Sequence, residues 1–222
     1  MGIKQTYERA GLNALASYNY TDIAEGTGIV IFNLCNTKEE STINYFLTTQ
    51  VFRPDTKGIT TMSNTQNAEF QKKLDLDFDV VFNKPQRIKG TWFYTSTACS
   101  AHSGTGSHQH YYIVKLRKVT GGVETDIASV QSQTYAVSSS GVTEQDLALQ
   151  AEITESIHFK IGDTLRVTVE TWIHAVSGGT SYTAVIHNPP DTDIIETYGG
   201  VVATQTIENS KTSVYIPFLL NL

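Results

Sequence analysis

This chain is poor in charge, in basic charge above all, and nearly free of cysteine. Of its 222 residues, 17 % are Asp, Glu, Lys or Arg, against roughly 25 % in an average globular chain. The 16 basic residues are outnumbered by 22 acidic ones, for a net charge of −6. A field of that sign repels phosphates, so nucleic acid is not expected as a partner. The six histidines could shift that balance in mild acid alone. Two cysteines, Cys35 and Cys99, do not make a disulfide framework, and two reduced, unlinked thiols are expected. There is no apolar run long enough to span a bilayer, and no membrane partner is expected. The first residues, MGIKQTYERAG, hold no apolar stretch of signal-peptide length, so Sec-type export is not expected either.

Helix is also scarce. Tyr7 to Ser17 has weak helical character, interrupted by Gly11 and Asn13, and a polar, glycine-containing segment follows. Residues 1–28 therefore read as an N-terminal arm and residues 29–222 as one β domain. The arm cannot build its own core, but Leu12, Leu15, Tyr18, Tyr20 and Ile23 give it enough apolar surface to dock on a neighbour.

What the chain does contain is strand signal. From Leu165 to Ile173, Leu165, Val167, Val169, Thr171 and Ile173 alternate with Arg166, Thr168, Glu170 and Trp172. A period of two means one face toward a core and one toward water or a partner. Lys160-Ile161-Gly162-Asp163 reads as the tight turn that opens this strand. Leu74 to Phe82 alternates as cleanly, with Asp75, Asp77 and Asp79 on the polar face. Gly121-Gly122 predicts a two-residue hairpin after Tyr111–Val119. Pro217, inside the last apolar segment, implies an edge strand or a bulge because proline cannot donate to a ladder. The pattern predicts an all-β domain, an antiparallel jelly-roll-type β-sandwich of about eight to ten strands.

Chemistry is harder to find. His102, His108 and His110 fall in the Gly/Ser-rich stretch CSAHSGTGSHQH, which reads as a loop. His108 and His110 at a spacing of two share a strand face, a geometry a divalent metal can use. No carboxylate accompanies them and no second metal motif exists, so exposed loop histidines are expected, with no metal and no cofactor; the alternative is a cupin-like metalloenzyme. Asp75, Asp77 and Asp79 lack the glycine bend of a calcium loop and are expected to face solvent. There is no G-x-S-x-G elbow, Cys99 and His102 make no recognisable nucleophile pair, and Glu152 and Glu170 are expected to face water. The chain is not expected to be an enzyme. Trp92, Phe93, Tyr94, Tyr111, Tyr112, Trp172 and Tyr182 lie on neighbouring strand candidates. Trp172 is predicted outside, where an exposed Trp flanked by Tyr offers a surface for a glycan or a protein.

The polar arm ending in ASYNYTDIAEGTGIVIF, the Thr/Asn-rich β domain, the FKIGDTLRVTVETW strand and the terminal VYIPFLLNL together resemble virion accessory proteins of tailed bacteriophages. These are small jelly-roll proteins that decorate or cement the capsid, or form head fibres. GDTLRVTV is also similar to a segment of trimeric tumour-necrosis-factor and C1q-like jelly rolls. The phage resemblance implies a non-enzymatic virion protein, assembled in the host cytoplasm. It would act by self-association, with a homotrimer expected, and by docking on the major capsid protein or another virion protein. Leu12, Leu15, Tyr18, Tyr20, Ile23 and Trp172 are the expected partner-binding residues. A carbohydrate-binding module, with a glycan as partner, is the alternative.

Overall fold

The computed structural model describes residues 16–17, 27–39, 42–50, 59–64, 69–103, 106–138, 142–175, 180–186, 194–198, 201–205 and 212–219. Among them there are fifteen strands and no helix. In chain order these are β1 (Ala16–Ser17), β2 (Thr27–Glu39), β3 (Thr42–Thr48), β4 (Ile59–Asn64) and β5 (Gln71–Val81). They continue with β6 (Gln86–Ser103), β7 (Ser107–Thr120), β8 (Val123–Gln131), β9 (Tyr135–Ser138) and β10 (Val142–Phe159). The last are β11 (Thr164–Ala175), β12 (Thr180–Ile186), β13 (Ile194–Tyr198), β14 (Val201–Gln205) and β15 (Ser213–Leu219).

Eight of these strands build two antiparallel layers. One layer runs β2-β15-β6-β10 and the other β5-β11-β7-β8. Counted along the chain as the first to the eighth, they interleave 1-8-3-6 against 2-7-4-5. That is the double Greek key of a jelly roll, as the alternation predicts. The layers meet at both margins. β3 pairs with β2 and touches β5 through one parallel register, Phe46 against Asp79. At the other margin β10 lies against β8. The first margin is bridged by backbone pairing, while at the second β10 and β8 lie together without a ladder.

The remaining strands are additions. The distal half of β6 leaves β15 and pairs with β12, which carries β4 on its far side. β9 extends the β5-β11-β7-β8 layer beside the first residues of β7, and β13 and β14 form a separate hairpin. Of the arm, Ala16 and Ser17 pair with Val30 and Ile29 of β2.

Alternation decides the interior. β11 is central in its layer, and Leu165, Val167, Val169 and Ile173 are all buried, opposite Phe78, Leu116 and Val114 of the flanking strands. From the other layer come Trp92, Tyr94, Ile88, Leu147 and Ile216. Each such side chain contributes about 1.5–3 kcal/mol by leaving water. The turn predicted at Lys160–Asp163 is present: Asp163 N donates to Lys160 O at 3.1 Å, with Gly162 at φ +87°. Positive φ at the third position is what a type II turn demands, and glycine reaches it without a steric cost. Phe82 N and Gly162 N tie this turn to the end of β5 at 3.0 and 2.9 Å. Gly121-Gly122 makes the β7–β8 hairpin as expected. Pro217 sits in β15, an interior strand rather than an edge one. It lies where the register with β6 breaks between Tyr215 and Phe218, so the predicted bulge is the correct half of that reading.

Candidate functional site

The outer face of the β5-β11-β7-β8 layer carries a dense polar network among the described residues. Arg166 on β11 donates through Nε and Nη2 to both carboxylate oxygens of Asp79, at 2.8 and 2.7 Å. Its Nη1 donates to Asp77 at 3.1 Å and also to Glu124 of β8. Arg117 of β7 donates to Asp126 at 2.7 Å, Glu124 at 3.0 Å and the Thr168 hydroxyl at 3.3 Å. The Thr168 hydroxyl donates in turn to Asp77 at 2.6 Å. Two guanidiniums thus knit four strands, with bidentate geometry that lysine cannot supply. This corrects the expectation of a solvated aspartate row. The three Asp do occupy the polar face, but Asp77 and Asp79 are held by Arg166 and Asp75 by Lys72.

Farther along β11, Glu170 is a hub. It is 1 % exposed, not facing water as predicted, and accepts from Lys115 at 2.6 Å, Trp172 Nε1 at 2.9 Å and Lys72 at 3.4 Å. Burial pushes its carboxyl up, but the bonds from Lys115 and Trp172 and the nearby ammoniums outweigh that and hold it below the ordinary value. Beside it Trp172 lies flat against Tyr111, ring centroids 6.0 Å apart and planes 12° apart. The two are opposite one another in register, the arrangement in which cross-strand aromatics stack. Phe70 meets Tyr111 at 4.9 Å and His174 at 5.4 Å. All four rings are half-buried, forming an aromatic cluster on the outer surface.

Trp172 therefore lies on the outer face, as predicted. Leu12, Leu15, Tyr18, Tyr20 and Ile23 lie outside the described residues. The other predicted aromatics divide by alternation: Trp92, Tyr94 and Tyr112 are core, while Phe93 points outward at 38 % exposure. The side chain of Tyr182 is outside the described residues. Sequence reasoning missed Phe70 and the buried carboxylate of Glu170. His174 was legible, being two residues beyond Trp172 on the same face. Phe70 precedes β5 and reaches the cluster by tertiary approach, which leaves no local signal.

The histidines are the largest correction. β6 extends to Ser103 and β7 begins at Ser107, both inside the stretch read as a loop, so His102, His108 and His110 sit in strands and all are buried in the sandwich. They form a row, His102 to His108 at 5.8 Å and His108 to His110 at 5.1 Å between centroids. His110 Nε2 lies 3.0 Å from Ser100 Oγ and 3.3 Å from Gln145 Oε1, and its ring stacks on Tyr135 at 5.6 Å. Among the described residues neither ring nitrogen of His108 has a hydrogen-bond partner. Loss of solvent, then the neighbouring His110 and His102, lowers His108 to about 3. Burial lowers His110 to about 4, against a smaller upward pull from Gln145. Among the described residues no group of three or more His, Cys, Asp or Glu is arranged to hold a metal. Cys35 is a buried free thiol pushed up to about 12 by burial; the Cys99 side chain lies outside the described residues.

No protein-family model matches this chain, and no curated protein sequence matches it. Among solved structures it is similar to an aminopeptidase from a marine sediment Thaumarchaeota archaeon, with 10 % identity, 85 % of this chain and 36 % of that one covered, and a TM-score of 0.45. A CocE/NonD family hydrolase from Staphylococcus aureus gives 10 % identity, coverages of 84 % and 36 %, and 0.41. The Gt strain structure of infectious bursal disease virus gives 10 %, 82 % and 45 %, and 0.35. The chain spans less than half of each of these proteins. Likeness at this level carries no functional argument.

Proposed function

We propose that this chain is a non-enzymatic structural protein of a virus particle, a capsid decoration, cement or related accessory component. It acts by self-association and by docking on the major capsid protein or another virion protein, within the virion and after assembly in the host cytoplasm. The observation that carries this reading is the jelly roll itself: two layers that meet at both margins, filled by side chains and stiffened outside by a four-strand ionic lattice. Such a block presents fixed surfaces to neighbours, which shape complementarity between packed copies requires. The sequence resemblance to tailed-phage accessory proteins points the same way, and a homotrimer is the closed symmetry we assign.

Mass spectrometry of purified particles of the virus encoding this chain tests the reading. Stoichiometric copies in intact virions are expected; absence from particles overturns it. Sedimentation equilibrium of the purified protein tests the trimer, which a monomer across the accessible concentration range would exclude.

A second reading is favoured by one observation, the Trp172–Tyr111 stack with Phe70 and His174 beside it. Aromatic surfaces bordered by hydrogen-bonding groups bind the apolar faces of sugars. Glycan-array binding that disappears in Trp172→Ala would establish this module; a blank array in wild type removes it.

A further inference from the structure

We infer that the buried histidine row is an acid-triggered release built into one end of the jelly roll: protonation of His108 and His110 expels them from the interior and opens the β6–β7–β9 end, while the ion-paired remainder of the sandwich stays closed. This inference rests on the histidine geometry and is independent of the function proposed above.

Among the described residues no carboxylate faces His108 or His110. Facing the row from β6 are Ser100 and His102, and along β7 the next inward side chain is Tyr112. β9 presents Tyr135 and Val137 in register with His110 and His108. β11 presents Thr171, Ile173 and Ala175 opposite Tyr112, His110 and His108. β10 contributes Gln145 and Leu147 from the other layer. β12 also pairs with this part of β6, and its side chains lie outside the described residues; among those described, the titratable groups in this set are the histidines themselves, Tyr112 and Tyr135. Among the described residues the buried carboxylates are Asp163, in the β10–β11 turn, and Glu170, on the outer face; neither faces the row. An imidazolium at His108 or His110 gains no counter-ion among the described residues and meets a second imidazole at 5.1 Å and, from His108, a third at 5.8 Å. A buried unpaired charge is expelled or not formed.

The sign follows from linkage. Closed, both rings stay neutral down to about 3 and about 4. Opened, they regain the ordinary value of 6.5. Between those limits the open form binds more protons, so opening gains as pH falls. From pH 6.5 to 4.5 the gain is about 40- to 50-fold for each ring, hence about 2 × 10³-fold for the two. The opening is local because β9, four residues long, pairs here with the first residues of β7 alone. The histidine segments of β6 and β7 are themselves paired on both sides, by β10 and β12 and by β9 and β11, so the opening starts at β9 and not at β11, whose outer face also carries charge pairs. Segments with few ties open before the whole domain does.

Hydrogen exchange of the full chain at pH 7 and pH 5, corrected for intrinsic rates, tests this. At pH 5 we expect amides of residues 98–103, 107–110 and 135–138 to lose at least 100-fold in protection, while those of residues 164–170 keep theirs. His108→Gln/His110→Gln should retain protection at pH 5; if it fails to fold, His108→Leu serves the same purpose with a smaller expected rescue. Wild-type protection unchanged at pH 5, loss spread evenly over the molecule, or the same loss in a folded variant would each overturn the inference. Histidine titration by NMR in wild type is independent of any variant. A His108 ring that titrates near its ordinary value while the fold stays closed also overturns it.

Discussion

Glu170 shows how much one outward position on a strand can carry. Its carboxylate is nearly inaccessible, yet it stays charged because two lysines and an indole N–H converge on it. Replacing it by glutamine keeps the shape but leaves Lys115 without a counter-charge, and we expect a loss of about 2 kcal/mol in urea denaturation. The pH dependence has a defined sign. A carboxyl held below its ordinary value of 4.5 stabilises the fold above that pH, and the contribution fades as pH falls through the folded value. The gap between wild type and Glu170→Gln should therefore narrow as pH falls below 4.5; a gap that stays constant through the whole acid range would show that packing, not charge, sets the difference. Val167 makes the inward contrast. It is fully buried between Phe78 and Leu116, so Val167→Asp places an unpaired charge in the core at a cost of several kcal/mol, comparable to the stability of a whole domain.

At the scale of an element, β11 has two faces, and neither is simply wet. The alternation predicts a forgiving outer face on which Arg166→Ala costs less than about 1 kcal/mol. The ionic lattice changes that. Arg166 holds two aspartates and Glu124, and its loss leaves three carboxylates of β5 and β8 facing one another. We now expect about 1–2 kcal/mol by thermal denaturation in low salt, shrinking as salt is raised, because these groups are partly exposed. An effect indifferent to salt would show that the guanidinium acts through packing. In β6, Gly90 takes φ +111° beside the break that Pro217 makes in the β15 ladder, and an added Cβ would lie 3.7 Å from the proline ring. That contact is ordinary, so the cost of Gly90→Ala is conformational, about 1–3 kcal/mol. A melting temperature unchanged by the substitution would mean that β6 relaxes there freely.

For the whole molecule the open question is attachment. The apolar set Leu12, Leu15, Tyr18, Tyr20 and Ile23 precedes the jelly roll, and covering it on a neighbour would remove several hundred Å² from water. At ~25 cal/mol/Å² that is several kcal/mol before the cost of ordering the arm. Deleting residues 2–24 should leave a β-type circular dichroism spectrum unchanged and weaken self-association in sedimentation. Unfolding of the truncated protein would place the arm in the core of its own domain. Undiminished assembly would make it a passive tail.

Period-two alternation with turn residues at Lys160–Asp163 and Gly121-Gly122 was enough, by itself, to determine the all-β class, the inward face of β11 and the outward position of Trp172. Those properties are local: a strand sends neighbouring side chains to opposite faces whatever it packs against. Which strands become neighbours is not local, so the interleaved layers, the approach of Phe70 and the lattice around Arg166 were decided by tertiary structure. The histidines mark the boundary between the two. Ser, Gly and His in CSAHSGTGSHQH describe a loop by composition, and polar residues are ordinarily left in water. Pairing with β12 and β10 carries β6 into that stretch as far as Ser103, and pairing with β11 and β9 does the same for β7 from Ser107. Alternation within the extended strands then turns His102, His108 and His110 inward, because backbone hydrogen bonds to four partner strands outweigh the preference of three imidazoles for water.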